Sequence, residues 1–281
     1  ELALSYVQPA AMFWCVMPLQ PLDDASRLLG GEALVQAGGR VGVQVVGDQH
    51  DLQVLTVEPA DGTTRTVFVD HNDAWVELVP GTGVLVAPTM PVMCTERDGS
   101  RRLAVGDDIV SPPEVQIRSV VDASPERVIA TGNPLDDATQ LHVFRWTPEG
   151  GFEALTDGLA VNQAAVGGDT VVLRTATVDE PGARWRLPNG DSLASHAERP
   201  LVRPNVRIAT HGADAPTTAV LLPHDHDGSP LPVLLDPYGG PHAQRVVRSH
   251  NAFCASQWFA DQGFAVVIPD GRGTPGRGTD F

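Results

Sequence analysis

Leu231-Pro-Val-Leu-Leu-Asp-Pro-Tyr-Gly-Gly-Pro-His-Ala-Gln244, followed by Phe264-Ala-Val-Val-Ile-Pro-Asp-Gly-Arg-Gly-Thr-Pro-Gly-Arg-Gly278, decides how this chain is read. Pro232 to Leu235 is a nearly continuous apolar run, the pattern of a strand covered on both faces in a parallel sheet and not of a half-solvated one. Tyr238 follows at the carboxyl end of that strand, where open α/β sheets bind their ligands. Gly239, Gly240 and Pro241 let the backbone turn sharply there, so the phenol is expected to face the crevice. Asn251 to Gln262, carrying Phe253, Trp258 and Phe259, suits a helix with one apolar face that ends at Gly263. Phe264 to Pro269 reads as a second buried strand, and Asp270 to Asp280 is too rich in glycine for helix or strand. The order is strand, turn, helix, strand, loop.

Leu234-Leu-Asp-Pro-Tyr-Gly-Gly-Pro-His-Ala-Gln244 and the later Asp270-Gly-Arg-Gly-Thr-Pro-Gly-Arg-Gly278 resemble the start of the catalytic domain in the dipeptidyl peptidase IV branch of the prolyl oligopeptidase family. Two unusual motifs occur in the right order over about fifty residues. The resemblance implies a serine exopeptidase built from a β-propeller and an α/β-hydrolase domain. Such an enzyme removes dipeptides from peptide amino termini, usually after proline or alanine, and uses no cofactor or metal. In that family the tyrosine of the Tyr-Gly-Gly-Pro turn donates a hydrogen bond to the oxyanion, a role that falls here on Tyr238. A phenol is protonated at neutral pH and can donate to a developing oxyanion, and one such donor is worth roughly 3 to 4 kcal/mol of barrier.

The family's triad runs Ser, then Asp or Glu, then His, with the serine in a Gly-x-Ser-x-Gly elbow. No such elbow follows Tyr238 before Phe281. The nucleophile, acid and base are therefore expected beyond Phe281, and the 281 residues alone are expected to be inactive. The family also grips the substrate's amino terminus with an acidic pair on a propeller helix or loop. No adjacent Glu-Glu occurs in this chain, so the pair is expected upstream of Glu1 or is not used. Members of the family are often dimers, which makes a homodimer an expectation of the resemblance.

The 281 residues suit one or two domains, and 42% apolar with 19% charged residues is ordinary for a globular chain with a sizeable core. The 28 glycines and 24 prolines favour many short elements joined by turns. A formal charge of −16 argues against nucleic acid or an anionic membrane as partner, since both reward clustered Lys and Arg. An acidic body fits attraction of a cationic peptide amino terminus, and equally fits plain solubility. Cys15, Cys94 and Cys254 are an odd count without Cys-x-x-Cys spacing and read as buried structural thiols. No run approaches the ~18 apolar residues a membrane span needs, and Glu1-Leu-Ala-Leu-Ser-Tyr6 lacks the basic start of a signal peptide, which favours a cytoplasmic location. With no initiating methionine, residues are expected to precede Glu1.

Gly30 to Gly182 is regular. Val41 to Val46, Leu52 to Val57, Thr64 to Val69, Trp75 to Val79 and Val84 to Ala87 are β-rich runs divided by turn residues. Pro91 to Glu96, Leu103 to Val105, Val115 to Val121, Val128 to Thr131, Gln140 to Trp146, Phe152 to Leu155 and Thr170 to Ala176 continue the rhythm. A dozen such strands predict three blades of four. Spacing alone fits a β-sandwich as well. Two hairpins favour blades: Val143 to Gly158, with its Gly-Gly turn and Leu-Thr close, and Thr95 to Leu103 around Asp98-Gly99.

Between Glu180 and Pro204 the pattern lapses into a proline-marked connection. The fold expected is mainly β: residues 1–204 a partial propeller with its linker, 1–30 carrying no firm assignment, and 205–281 the N-terminal portion of an α/β-hydrolase domain. Val206 to Ala209 and Thr218 to Leu222 would be the first hydrolase strands. His224-Asp-His-Asp-Gly-Ser229 reads as a hairpin turn and not a metal site. Gly190-Asp-Ser-Leu-Ala194 loosely matches a nucleophile motif at Ser192, but it follows a polar stretch and precedes the oxyanion segment, so it reads as a linker turn. Three functions stay open: a serine peptidase of the resembled family with dipeptidyl, acylaminoacyl or oligopeptidase activity, a propeller binding module with a degenerate hydrolase half, and an esterase acting through Ser192.

Overall fold

Short β-rich runs divided by tight turns satisfy their backbone most simply by pairing with their sequence neighbours, and the computed structural model shows this throughout. It describes residues 32–35, 41–46, 50–57, 61–210, 216–240, 243–278 and 281. The opening stretch, with Cys15, lies outside them. Strands β1 (Glu32–Val35), β2 (Val41–Val46), β3 (Asp51–Val57) and β4 (Thr64–His71) form one antiparallel meander. A second comprises β5 (Val84–Ala87), β6 (Met90–Arg97), β7 (Ser100–Val105) and β8 (Asp108–Ile109). The third holds β9 (Val115–Ala123), β10 (Val128–Pro134), β11 (His142–Thr147) and β12 (Gly151–Ala154). The fourth holds β13 (Ala160–Gly167), β14 (Thr170–Thr177), β15 (Arg184–Arg186) and β16 (Ser192–Leu193).

Successive four-stranded meanders are the blade unit of a propeller, and these stack face to face as an open, partial one. Leu52, Val54 and Met93 join the first blade to the second. Val92, Leu103 and Val105 pack on Ile117, Val120 and Val128 between the second and third. Ile129 and Val143 meet Val171 and Leu173 between the third and fourth. Cys94 lies in this core, where burial pushes its thiol up to about 12, which keeps it un-ionised at neutral pH.

The described residues thus contain four blades, one more than expected. The extra strands are those that leave little periodic trace. β1, β8, β15 and β16 are two to four residues long, and β13 is built of Ala, Asn and Gln between its valines. The stretch read as a connection accordingly contains two paired strands. Trp75 to Val79, read as a strand, belongs to none: Thr82 and Val120 donate to the carbonyls of Val79 and Pro80, and its apolar alternation reflects packing alone.

Both marker hairpins form. Asp98 (φ 55°) and Gly99 (φ 73°) are both left-handed, the type I′ geometry that matches strand twist. At the Leu-Thr close, the Leu155 amide donates to the Val143 carbonyl (2.8 Å) and the Val143 amide to Thr156 Oγ1 (2.9 Å), in a buried setting. Thr156→Val, equal in shape, strands that amide. It is expected to cost about 1 to 3 kcal/mol in urea unfolding, and an unchanged midpoint would show that another acceptor takes over.

The fifth sheet is mixed. β17 (Val206–Thr210), β18 (Thr217–Leu221) and β20 (Ala265–Asp270) are antiparallel, and β19 (Val233–Leu235) adds parallel to β20 after a crossover through helix α1 (His250–Ala260). This β-α-β unit on an antiparallel start has the strand, helix, strand order expected for the α/β part of the chain. α1 covers it with Phe253, Gln257 and Ala260, one face at i, i+4, i+7. Gly263 (φ 98°) turns the chain out of the helix. Trp258 and Phe259, expected on the buried face, fall off that period; they are 55% and 44% exposed and stack edge to face on each other. Among the described residues β19 lies at the edge of the sheet: Leu234 packs into the core beside the helix while Val233 (65% exposed) and Leu235 (60% exposed) are left uncovered. Among the described residues no helix is long and apolar enough to cross a membrane.

Candidate active site

The parallel pairing of β19 with β20 continues past the strand ends. Asp236 donates its amide to the Val267 carbonyl (2.9 Å), and Tyr238 bridges Asp270 in register. Two adjacent parallel strands therefore deliver Tyr238 and Asp270 side by side at their carboxyl ends, the edge where such sheets place their chemistry. The chain then folds back over the phenol. A Cβ on Gly240 would lie 2.8 Å from the Tyr238 hydroxyl oxygen and 3.0 Å from Cζ, so a larger residue there would have to push the phenol aside. Pro241 and His242 lie outside the described residues.

Where the turn ends it is tied to both sides of the molecule. The amides of Arg245 and Val246 donate to the two carboxylate oxygens of Asp270, at 2.9 and 3.0 Å. Burial pushes the Asp270 carboxyl above the ordinary aspartate value, against those two amides and the nearby Arg245 and Arg277, which pull it down. The Arg245 guanidinium grips Asp236 with two hydrogen bonds, at 3.1 and 2.5 Å, and so closes the turn around Tyr238. On the propeller side, Gln244 Nε2 donates to the Ala138 carbonyl (2.7 Å), the Arg248 amide to the Thr139 carbonyl (2.8 Å), and Arg248 Nε to Thr139 Oγ1 (3.1 Å). Arg248 also pairs with Asp137 at 3.5 Å.

The glycine-rich loop after β20 docks on the third blade. Asn133 Nδ2 donates to the Gly276 carbonyl (3.0 Å), and Arg118 donates to the amide oxygens of Asn133 (3.2 Å) and Gln244 (3.4 Å). Burial, reinforced by the charge of Arg101, lowers the Arg118 pKa. Gly278 lies against Gly99 and Glu96 of the β6–β7 hairpin.

Burial alone would raise the Asp137 carboxyl, yet hydrogen bonds from Thr139 and Gln140, with Arg248 beside it, hold it below the ordinary aspartate value. A carboxyl depressed in the folded state contributes stability above its unfolded pKa and loses it as the pH falls through its folded one. Between about pH 6 and about pH 3 the urea midpoint is therefore expected to fall more steeply in the wild type than in Asp137→Ala. Equal slopes would show that this carboxyl is not depressed.

Ser192 lies elsewhere, exposed on the last strand of the fourth blade and paired with Arg186. A turn precedes it and no helix follows, so it has none of the strained strand-to-helix geometry of a nucleophile elbow. In the His224 to Ser229 loop, His224 Nδ1 lies 2.9 Å from the Asp261 carboxylate and Asp227 caps its own turn through the Ser229 amide (2.9 Å). Asp236, Gln244, Arg245 and Asp270 sit in the motif stretch, but their pairing depends on a chain reversal that sequence spacing does not display.

No family model matches the chain. Among solved structures it is similar to Porphyromonas gingivalis dipeptidyl peptidase 4, with TM-score 0.70 and 16% identity over 85% of this chain and 37% of that one. A putative dipeptidyl aminopeptidase IV from Bacteroides ovatus gives TM-score 0.67 and 16% identity over 85% and 40%. Pyrococcus horikoshii acylaminoacyl peptidase gives 0.58 and 12% over 89% and 41%. The chain thus spans about two fifths of the length of these structures and shares their fold.

Proposed function

We propose that this chain is the propeller-to-hydrolase portion of a serine peptidase that releases dipeptides, Xaa-Pro or Xaa-Ala, from peptide amino termini, with Tyr238 as an oxyanion donor. The observation that carries the reading is the Tyr238 turn: a phenol at the carboxyl end of a parallel strand, covered by Gly240 and fixed by Asp236, Arg245 and Asp270. A donor held in advance where negative charge develops is what acyl transfer requires. Residues 1–204 form the propeller part and 205–281 the start of the catalytic domain in this reading. The propeller limits access to peptides, and the nucleophile, acid and base follow Phe281. Release of an acylated amino-terminal residue is the second reading, favoured by the likeness to an acylaminoacyl peptidase.

A fluorophosphonate probe tests the class. The 281 residues alone are expected neither to label nor to hydrolyse a proline anilide, whereas the protein extended through its following residues does both. Labelling of the 281 residues that disappears in Ser192→Ala would overturn the reading.

A further inference from the structure

We infer that the propeller loop 137–140 is a positioning element for the Tyr238 turn, acting through Gln244 and Arg248. The inference rests on Tyr238 being the oxyanion donor. The chain leaving the turn is gripped on two sides within five residues: Arg245 and Val246 by Asp270 of the hydrolase sheet, Gln244 and Arg248 by the carbonyls of Ala138 and Thr139 in the third blade. The hydrolase sheet therefore holds only one flank of the turn, and a blade supplies the other.

The loop is built to be stiff. Asp137 Oδ1 accepts from the Thr139 amide (2.9 Å) and hydroxyl (2.5 Å), and Oδ2 accepts from Gln140 Nε2 (2.8 Å). These bonds turn the 138 and 139 carbonyls outward toward the hydrolase segment, with Ala138 and Thr139 themselves buried. The same carboxylate receives Arg248, so one side chain both shapes the loop and anchors the segment it holds. A donor that must meet an oxyanion within a few tenths of an ångström depends on such support, because small displacements cost rate and not substrate binding. Asp137 and Arg248 act through the turn and touch no reacting atom.

The test is a double-mutant cycle in the protein extended through its catalytic residues, with Asp137→Ala and Arg248→Leu each combined with Tyr238→Phe. Each single change is expected to lower kcat roughly tenfold and leave KM nearly unchanged. On the Tyr238→Phe background each should add almost nothing, because the hydroxyl they position is gone. Amide hydrogen exchange at 244–248 should quicken in both variants. Full turnover, additive losses or unchanged exchange would overturn the inference. Full turnover in Tyr238→Phe itself would instead sink the oxyanion reading, and the exchange result would still decide whether the blade holds the segment. Arg248→Leu keeps the backbone bond to Thr139, removes only a partly exposed side chain, and keeps the test decisive if Asp137→Ala does not fold.

Discussion

Replacing Tyr238 with phenylalanine is expected to lower turnover of the catalytically complete protein by about 10²- to 10³-fold while KM stays nearly unchanged. Phenylalanine keeps the ring that Gly240 lies against and removes only the hydroxyl, so packing of the turn survives. The lost hydrogen bond would be made to an oxyanion that exists only along the reaction path, which is why binding of the ground state is spared. The thermal midpoint should move little. A tyrosine that merely fills space at a strand end would predict wild-type turnover in the variant, and that result would remove Tyr238 from the chemistry.

The second large effect is expected on stability, at the seam between blade and glycine-rich loop. Gly276 has φ 101°, a conformation that costs an L side chain strain, and a Cβ there would collide with the Arg118 guanidinium and lie 3.0 Å from Asn133 Oδ1. Arg118 cannot swing aside freely, since Asn133 and Gln244 hold it and its surroundings are buried. Gly276→Ala is expected to cost roughly 2 to 4 kcal/mol in urea unfolding. Gly99→Ala is the control: φ 73° but open space around its Cβ, so strain without collision, about 1 kcal/mol. Equal losses at the two positions would mean that the loop does not press on the third blade.

The pattern of apolar runs and turns carried most of the blade strands, because pairing between neighbours is local and each hairpin announces itself, as Asp98-Gly99 does. What it could not show follows from geometry. β15 and β16 are too short to impose a period, and their pairing is decided by the strand beside them. Trp258 and Phe259 look like core residues by type, yet the helix turns Phe253, Gln257 and Ala260 inward; Gln257 is buried because its amide serves the Leu222 carbonyl and the Asn205 amide. Tyr238 was legible because glycines mark its turn. Asp270 was visible only as part of a motif, since its role is to meet the amides of Arg245 and Val246, and the propeller contacts through Asp137 and Thr139 join residues more than a hundred positions apart.

Dipeptide release at the Tyr238 site would be read from the products of a single digestion. A peptide with a free amino terminus and proline second, incubated with the protein extended past Phe281, is expected to yield the intact amino-terminal dipeptide and the shortened peptide, with the yield collapsing in Tyr238→Phe. Cleavage only of an amino-terminally acylated peptide, releasing one acylated residue, or no cleavage together with no fluorophosphonate labelling, would contradict the account.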